Sequence, residues 1–463
     1  MTATAVSAAG ATAAEGEATS ILDCWEELVD PRVGIIRDIR VLPVDDDEPD
    51  FFHYLSTACD TSAFGSLRNF GNNGGVGTTA KRAIAKALGE AVERYCSAIF
   101  DEGALCLAGY DELERRATLP DTFALFRPDQ YAAQGFPWRP FTDNAPVAWT
   151  TGISLVSGDE VLVPAAAVYV PYHYRLHRGD TPIMQPISTG LACGGSLASA
   201  TVGALCEAIE RDAFTITWQA SLSRPRVAHD SLPAEAQDLL SRYRAAALDI
   251  EIVDITTDLA CPTLLTAALG RAETSPAVAV AAACDPDPVV ALVKSLEELA
   301  HTRKYAAQLM DLTPPVPLDV VAGHPAVQTQ RDHLRAYCQQ ESVEYAAFLW
   351  ASAEERALPP PLTGLRVSHP ADSAPPAAEP LEAIVGRLVS AGLEPIACEL
   401  TTPDVAALGL AVVRVVVPGL NPLFMGHSNR ALGGRRLREV PAALGEPAQP
   451  PNAPDNAYPH PFP

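Results

Sequence analysis

Ala87-Leu88-Gly89-Glu90-Ala91-Val92-Glu93-Arg94 recurs as Ala204-Leu205-Cys206-Glu207-Ala208-Ile209-Glu210-Arg211. Six of the eight positions are identical, and the other two are small or aliphatic. A glycine-rich stretch precedes each copy, Gly71-Asn72-Asn73-Gly74-Gly75-Val76-Gly77 and Thr189-Gly190-Leu191-Ala192-Cys193-Gly194-Gly195. The pattern is a glycine-rich turn, about a dozen residues, then ExxER on an amphipathic helix; its recurrence implies two related halves of one core. Residues three apart share a helix face, so Glu90 and Glu93 stand side by side, as do Glu207 and Glu210. Leu88, Val92, Tyr95 and Ile99 form the opposing stripe, with Leu205, Ile209 and Phe214 as the counterpart.

Adjacent carboxylates repel unless a cation lies between them. Oxygen-only ligands favour Mg²⁺ over zinc, and Mg²⁺ usually arrives with phosphates. Arg94 and Arg211 could grip a phosphate bidentately, and Gly75 and Gly77 could let the backbone approach it closely. The plainer alternative is a solvated helix face with (i, i+4) Glu–Arg pairs worth ~0.3–0.5 kcal/mol each. Neither glycine stretch is a Walker A loop or a GxGxxG fingerprint. A third acidic element, Leu296-Glu297-Glu298-Leu299-Ala300-His301-Thr302-Arg303, follows Asp285-Pro286-Asp287-Pro288 on a further helix pattern.

Outward from these motifs, apolar runs predict strands at 146–155, 160–170, 249–255, 277–284, 346–350 and 411–417. Periodicity predicts helices at 79–100, 198–220, 234–246, 288–309, 324–339 and 380–391. The expected fold is α/β (α+β), with sheets covered by long helices and several strands buried on both faces. Residues 1–20 are small and low in complexity, as a disordered segment would be. Segment 358–380 is proline-rich and reads as a surface excursion; residues 441–463 read as an extended tail.

The 463 residues carry a net charge of −24 and have ordinary globular composition. Such a charge repels a phosphate backbone, which argues against nucleic-acid binding. No apolar run reaches the ~18–20 residues of a membrane helix, and the first basic residue is Arg32, too late for a secretory signal. The ten cysteines lack any CxxC spacing and read as small buried hydrophobes in a reducing, cytoplasmic setting. The ten histidines are scattered and no GxSxG elbow occurs, which disfavours a hydrolase.

The three acidic elements resemble the three ATP/Mg²⁺ motifs of the YcaO superfamily. Gly75 to Arg94 is similar to its GKG and SAxxExxER motif. Ser188-Thr189-Gly190-Leu191-Ala192-Cys193-Gly194 and Leu205 to Ala213 are similar to SNGxAxG and LxExxERDA, and Glu298 to Arg303 to ExxQxR. Val413-Arg414-Val415-Val416-Val417-Pro418-Gly419-Leu420 resembles the late VxVPGL strand, and the closing Pro459-x-Pro461-x-Pro463 resembles the PxPxP ending of azoline-forming members.

The resemblance implies a YcaO-like core of two related halves with an ATP site between them. It implies domains at 21–60 (N-terminal extension), 60–435 (catalytic domain) and 436–463 (proline-rich tail). It implies Mg²⁺ on Glu90, Glu93, Glu207, Glu210 and Glu298. ATP contacts are implied for Gly75, Gly77, Glu90, Arg94, Glu207, Arg211, His301 and Arg303. Pro459, Pro461 and Pro463 would thread back to the active site, the terminal carboxylate aiding proton transfer. The implied activity is ATP-dependent cyclodehydration of Cys, Ser or Thr in a ribosomally made precursor peptide, giving azolines. The alternatives are thioamide or amidine formation on the same fold, or a non-catalytic scaffold subunit. The expected partners are a separate E1/ThiF-like leader-peptide-binding protein, since residues 1–60 offer no room for such a domain, an FMN azoline dehydrogenase, and a second copy of the chain. Val76, Lys86, Thr189 and His301 depart from the family's Lys, Ser, Asn and Gln.

Overall fold

The computed structural model describes residues 19–312, 314, 316, 327–362, 378–446 and 455–463. Its strands run in chain order as β1 (Ile36–Leu42), β2 (Phe52–Ala58), β3 (Asn72–Gly77), β4 (Cys106–Ala108), β5 (Val147–Ser154), β6 (Glu160–Pro164), β7 (Leu191–Gly194), β8 (Arg226–Val227), β9 (Asp249–Asp254), β10 (Thr263–Leu269), β11 (Val278–Cys284), β12 (Glu355–Arg356), β13 (Ile396–Glu399) and β14 (Ala411–Val416). They form three sheets: β1-β2-β3; β4-β5-β13-β14-β7, with β6 on β5; and β11-β10-β9-β8-β12. Every pairing is antiparallel except β8 with β12. β11 and β14 are buried along their whole length, as their uninterrupted apolar sequences require.

Three long helices follow three strands. Ala80–Ala98 follows β3, Leu197–Gln219 follows β7, and Pro288–Leu312 follows β11. Each start is set by its own sequence. Thr79 accepts from the Arg82 amide, Ser196 and Ser199 cap reciprocally, and Asp287 accepts from Val289 N at 2.8 Å beside Pro288. The first helix buries Ala83, Ala87, Leu88, Ala91, Val92 and Tyr95.

The two glycine-rich stretches are strands, not turns. Residues 72–77 pair with β2, and 191–194 with β14. Their glycines let a helix backbone lie directly on the strand. A Cβ on Gly75 would strike the Ala83 carbonyl and sit 2.5 Å from Ala87 N, and one on Gly194 would sit 2.7 Å from Ala200 N. The side of Gly75 and Gly77 expected to admit a phosphate is therefore filled by helix.

Two strand expectations need correction. Residues 346–350 form a short helix and then a 3-10 turn, Ala347–Trp350. Ala346, Phe348, Leu349 and Trp350 pack instead into the apolar cluster around Trp218, with Phe348 5.2 Å from its ring. The 160–170 run leaves the sheet at Pro164, and Ala165–Ala167 is a 3-10 turn. The expected helix at 324–339 is Gln330–Ala336, its first residues lying outside those described. Most of 1–20 and of the 358–380 excursion also lies outside them. Of β1, β2, β9 and β10, only β9 had a distinct sequence signal.

Candidate functional site

The motif carboxylates reach backbone amides of the glycine strands. Glu90 Oε2 accepts from Gly74 N and Glu207 Oε2 from Gly190 N, both at 3.0 Å. The second carboxylate of each pair crosses to the next unit. Glu93 Oε1 accepts from Cys193 N on β7 at 2.8 Å, and Glu210 is met by the main chain of Cys284 at the end of β11. The third helix closes the circuit: Glu297 Oε1 accepts from Thr78 N, beside β3, at 2.9 Å. Three strand–helix units thus meet around one group of carboxylates.

Two carboxyls of this group are driven toward their neutral form. Burial pushes the Glu93 carboxyl up to about 8, with Glu207 and Glu90 adding to the rise against Arg94 and the Cys193 amide. Burial does the same to Glu210, also to about 8, with Glu207 and Glu298 adding against Arg211. Acids buried among acids call for a cation. Glu90, Glu93, Glu207, Glu210 and Glu298 offer only oxygen, the donor set of a hard divalent ion, so these residues fit Mg²⁺.

The arginines are already engaged. Arg94 Nη2 lies 3.4 Å from Glu90. Arg211 lies 3.6 Å from Glu207 and 3.3 Å from Glu210. Lys86 bridges the third helix, its Nζ 3.0 Å from Glu297 and 2.8 Å from Glu298. Glu297 also takes both donors of the Arg82 fork, at 2.9 and 3.0 Å. For Glu298 burial alone would raise the carboxyl, but the Lys86 ammonium outweighs it and the net shift is downward. His301 fills the space a side chain on Gly74 would take and stacks on His53 at 6.2 Å. Its Nδ1 is buried with no hydrogen-bond partner among the described residues. Arg303 is not gathered with the others: it donates to Ser275 Oγ at 2.9 Å and lies 4.0 Å from Asp47. Val76 is buried beside Phe51 in an apolar cluster, so no cation stands at that position.

The C-terminal residues pack back into the protein. Tyr337 donates to Pro459 O at 2.6 Å, and Trp218 Nε1 to Tyr458 O at 3.0 Å. Phe462 is buried 4.3 Å from the Phe214 ring, under the Arg211 guanidinium at 4.5 Å. Arg211 Nη1 also donates to Pro463 O at 3.2 Å. Pro463 is therefore held by the arginine that pairs with Glu207 and Glu210.

Arg414 stands in the sequence only as one letter of an apolar strand. It is 6% exposed on β14, and its Nε and Nη1 find no partner among the described residues. Burial lowers its guanidinium to about 10 against the attraction of Glu207. With Thr189, Ile187 and Asn421 it lines a cavity of about 110 Å³ next to the second motif helix. A charged residue inside an otherwise apolar β run was the available signal.

Comparison with known proteins gives four findings. Residues 74–421 match the family described as YcaO cyclodehydratase, ATP- and Mg²⁺-binding. The chain is 28% identical over 316 residues, 65% of its length, to an uncharacterised protein from the tfuA 3′ region of Rhizobium leguminosarum bv. trifolii, covering 67% of that protein. Its fold is similar to that of a heterocyclase solved in complex with substrate and cofactor, with a TM-score of 0.73 at 23% identity. That match covers 95% of this chain and 56% of the heterocyclase, so the chain spans little more than half its length. It is also similar to the YcaO protein of Methanopyrus kandleri bound with AMPPCP and Mg²⁺, with a TM-score of 0.58, 18% identity, and 83% and 86% of the two chains covered.

Proposed function

The chain belongs to the YcaO family of ATP- and Mg²⁺-binding cyclodehydratases, and from that membership we propose that it cyclodehydrates Cys, Ser or Thr residues of a precursor peptide. In this reading the side chain attacks the preceding amide carbonyl. The resulting hemiorthoamide oxygen takes the γ-phosphoryl group of ATP, ADP departs, and loss of phosphate leaves the azoline ring. An amide oxygen is a poor leaving group, and phosphorylation makes it a good one. Mg²⁺, held by Glu90, Glu93, Glu207, Glu210 and Glu298, would neutralise charge on the transferring phosphate. Arg94 and Arg211 orient these carboxylates, and His301 Nδ1 offers a contact to the nucleotide. In this reading Pro463, held on Arg211, stands where the attacking side chain gives up its proton. A leader-binding E1/ThiF-like protein, an FMN azoline dehydrogenase and a second copy of the chain are the partners of this reading.

One observation carries it: the arginine that pairs with Glu207 and Glu210 also holds Pro463 of the PxPxP segment. The test is incubation with Mg·ATP, the leader-binding protein and Cys- or Ser/Thr-bearing peptides, scored as one water lost per ring. Deleting Pro459–Pro463 should stop water loss while Mg·ATP binding persists. Undiminished water loss after the deletion would refute the role of the tail.

A second reading, a non-catalytic subunit, is favoured by Lys86, whose ammonium already sits on Glu298. Calorimetric titration separates the two. Mg·ATP binding at micromolar Kd, about −8 kcal/mol, supports the enzyme. No binding with or without the partner supports the scaffold.

A further inference from the structure

Cys206, Cys261 and Cys284 are far apart in sequence and come from three elements: the second motif helix, the loop before β10, and the last residue of β11. Their sulfurs lie within 4.8 Å of one another, all three side chains are buried, and Cys284 Sγ stands 3.3 Å from Cys261 Sγ. We propose that these three thiols form a three-coordinate site for a soft monovalent metal ion of the Cu(I) class, set directly behind the carboxylate cluster. The proposal does not depend on the reaction proposed above.

The donor set selects the ion. Three thiolates favour soft metals. Structural zinc is almost always four-coordinate, and a fourth donor is missing among the described residues. Asp285 follows Cys284, but its oxygens are taken by Asp287 N at 3.0 Å and Lys294 Nζ at 2.7 Å. Leu259, Leu362 and Ile384 belong to the same buried apolar cluster as the three cysteines. Loading forms three metal–sulfur bonds and releases three thiol protons, with no change of oxidation state. The three thiolates and a monovalent cation leave two negative charges, and the partly exposed Lys294 ammonium acts on Cys206 and Cys284 from beside them. The position has a structural consequence. Cys206 immediately precedes Glu207, and the Cys284 main chain meets Glu210, so the ion would tie together the two segments that hold those carboxylates.

The experiment is anaerobic titration of the full chain with Cu(I) in a competing chelator buffer. Bound metal is counted by mass spectrometry and its donors read by X-ray absorption. The expected result is one copper per chain with three sulfur neighbours, falling to none in Cys261→Ala. Cys106→Ala, at an exposed thiol, should keep the full equivalent. Should Cys261→Ala fail to fold, the sulfur count on the wild type decides alone. Copper no greater in the wild type than in Cys261→Ala, a shell containing nitrogen or oxygen, or a Cys261–Cys284 disulfide isolated from metal-free protein under reducing conditions would each overturn the site.

Discussion

Lys86 sets how much of the carboxylate cluster is open to a cation. Its ammonium joins Glu297 to Glu298, yet Glu297 keeps three other donors, Arg82 Nε, Arg82 Nη2 and Thr78 N. Removing the ammonium therefore frees Glu298 without stranding Glu297. Lys86→Ser should tighten Mg²⁺ binding in the presence of ATP about tenfold, the equivalent of ~1.4 kcal/mol and near the low end of a charge-assisted hydrogen bond. Calorimetry with Mg²⁺ at fixed ATP measures this, and an unchanged Kd would contradict it. Glu207→Ala should abolish the Mg·ATP titration altogether, since it removes one of the oxygen donors assigned to Mg²⁺ and the carboxylate that ties the Gly190 amide. At this scale the acidic residues were visible because i, i+3 spacing on a helix is a local fact. The pairing of Lys86 with residues more than two hundred positions away was not.

The glycine strands make the clearest statement about elements. Gly75 faces the first motif helix so closely that a methyl group would meet its backbone, whereas a Cβ on Gly71 meets nothing within 4 Å. Gly75→Ala should cost more than ~2 kcal/mol through overpacking, and Gly71→Ala should stay within ~0.5 kcal/mol of wild type. Urea unfolding of both variants compares them directly; equal midpoints would refute the packing argument. The tail supplies a pH test. His333 Nε2 accepts from Gly426 N at 3.1 Å, and its Nδ1 is 2.9 Å from His460 O, so the ring must be neutral with its proton on Nδ1. Burial lowers His333 to about 4. The unfolded chain then takes a proton from about pH 6.5 downward while the native ring refuses it. This contribution is fully present above pH 6.5 and is lost as pH falls toward 4. Melting temperature should fall through that window, and His333→Gln should flatten the slope. A slope unaltered by His333→Gln would assign the acid sensitivity elsewhere.

Across the whole molecule, buried ion pairs join segments that sequence keeps apart. Arg436 donates to Asp212 Oδ2 at 3.0 and 2.8 Å and to Asp258 at 3.0 and 2.7 Å, with Asp212 also accepting from Asn421. Arg436→Met would leave Asp212 charged and fully buried, at a cost of about 3–5 kcal/mol. Arg436→Met with Asp212→Asn should recover a good part of it, and denaturant unfolding of the pair measures the recovery. A single variant as stable as wild type would remove this pair from the forces holding the C-terminal segment. By itself the sequence determined what depends on neighbours along the chain. That includes the duplicated ExxER helices and their caps, the apolar strands β5, β9, β11 and β14, and the family to which such motifs belong. Only the tertiary structure decided that the glycine stretches are strands pressed against helices, and that residues 346–350 turn instead of extending. It alone gathered Lys86, Arg414 and the three cysteines at the carboxylates, and set Pro463 on Arg211. Periodicity and capping act over a few residues and leave a local trace, whereas close packing and charge pairing join groups that no local pattern connects.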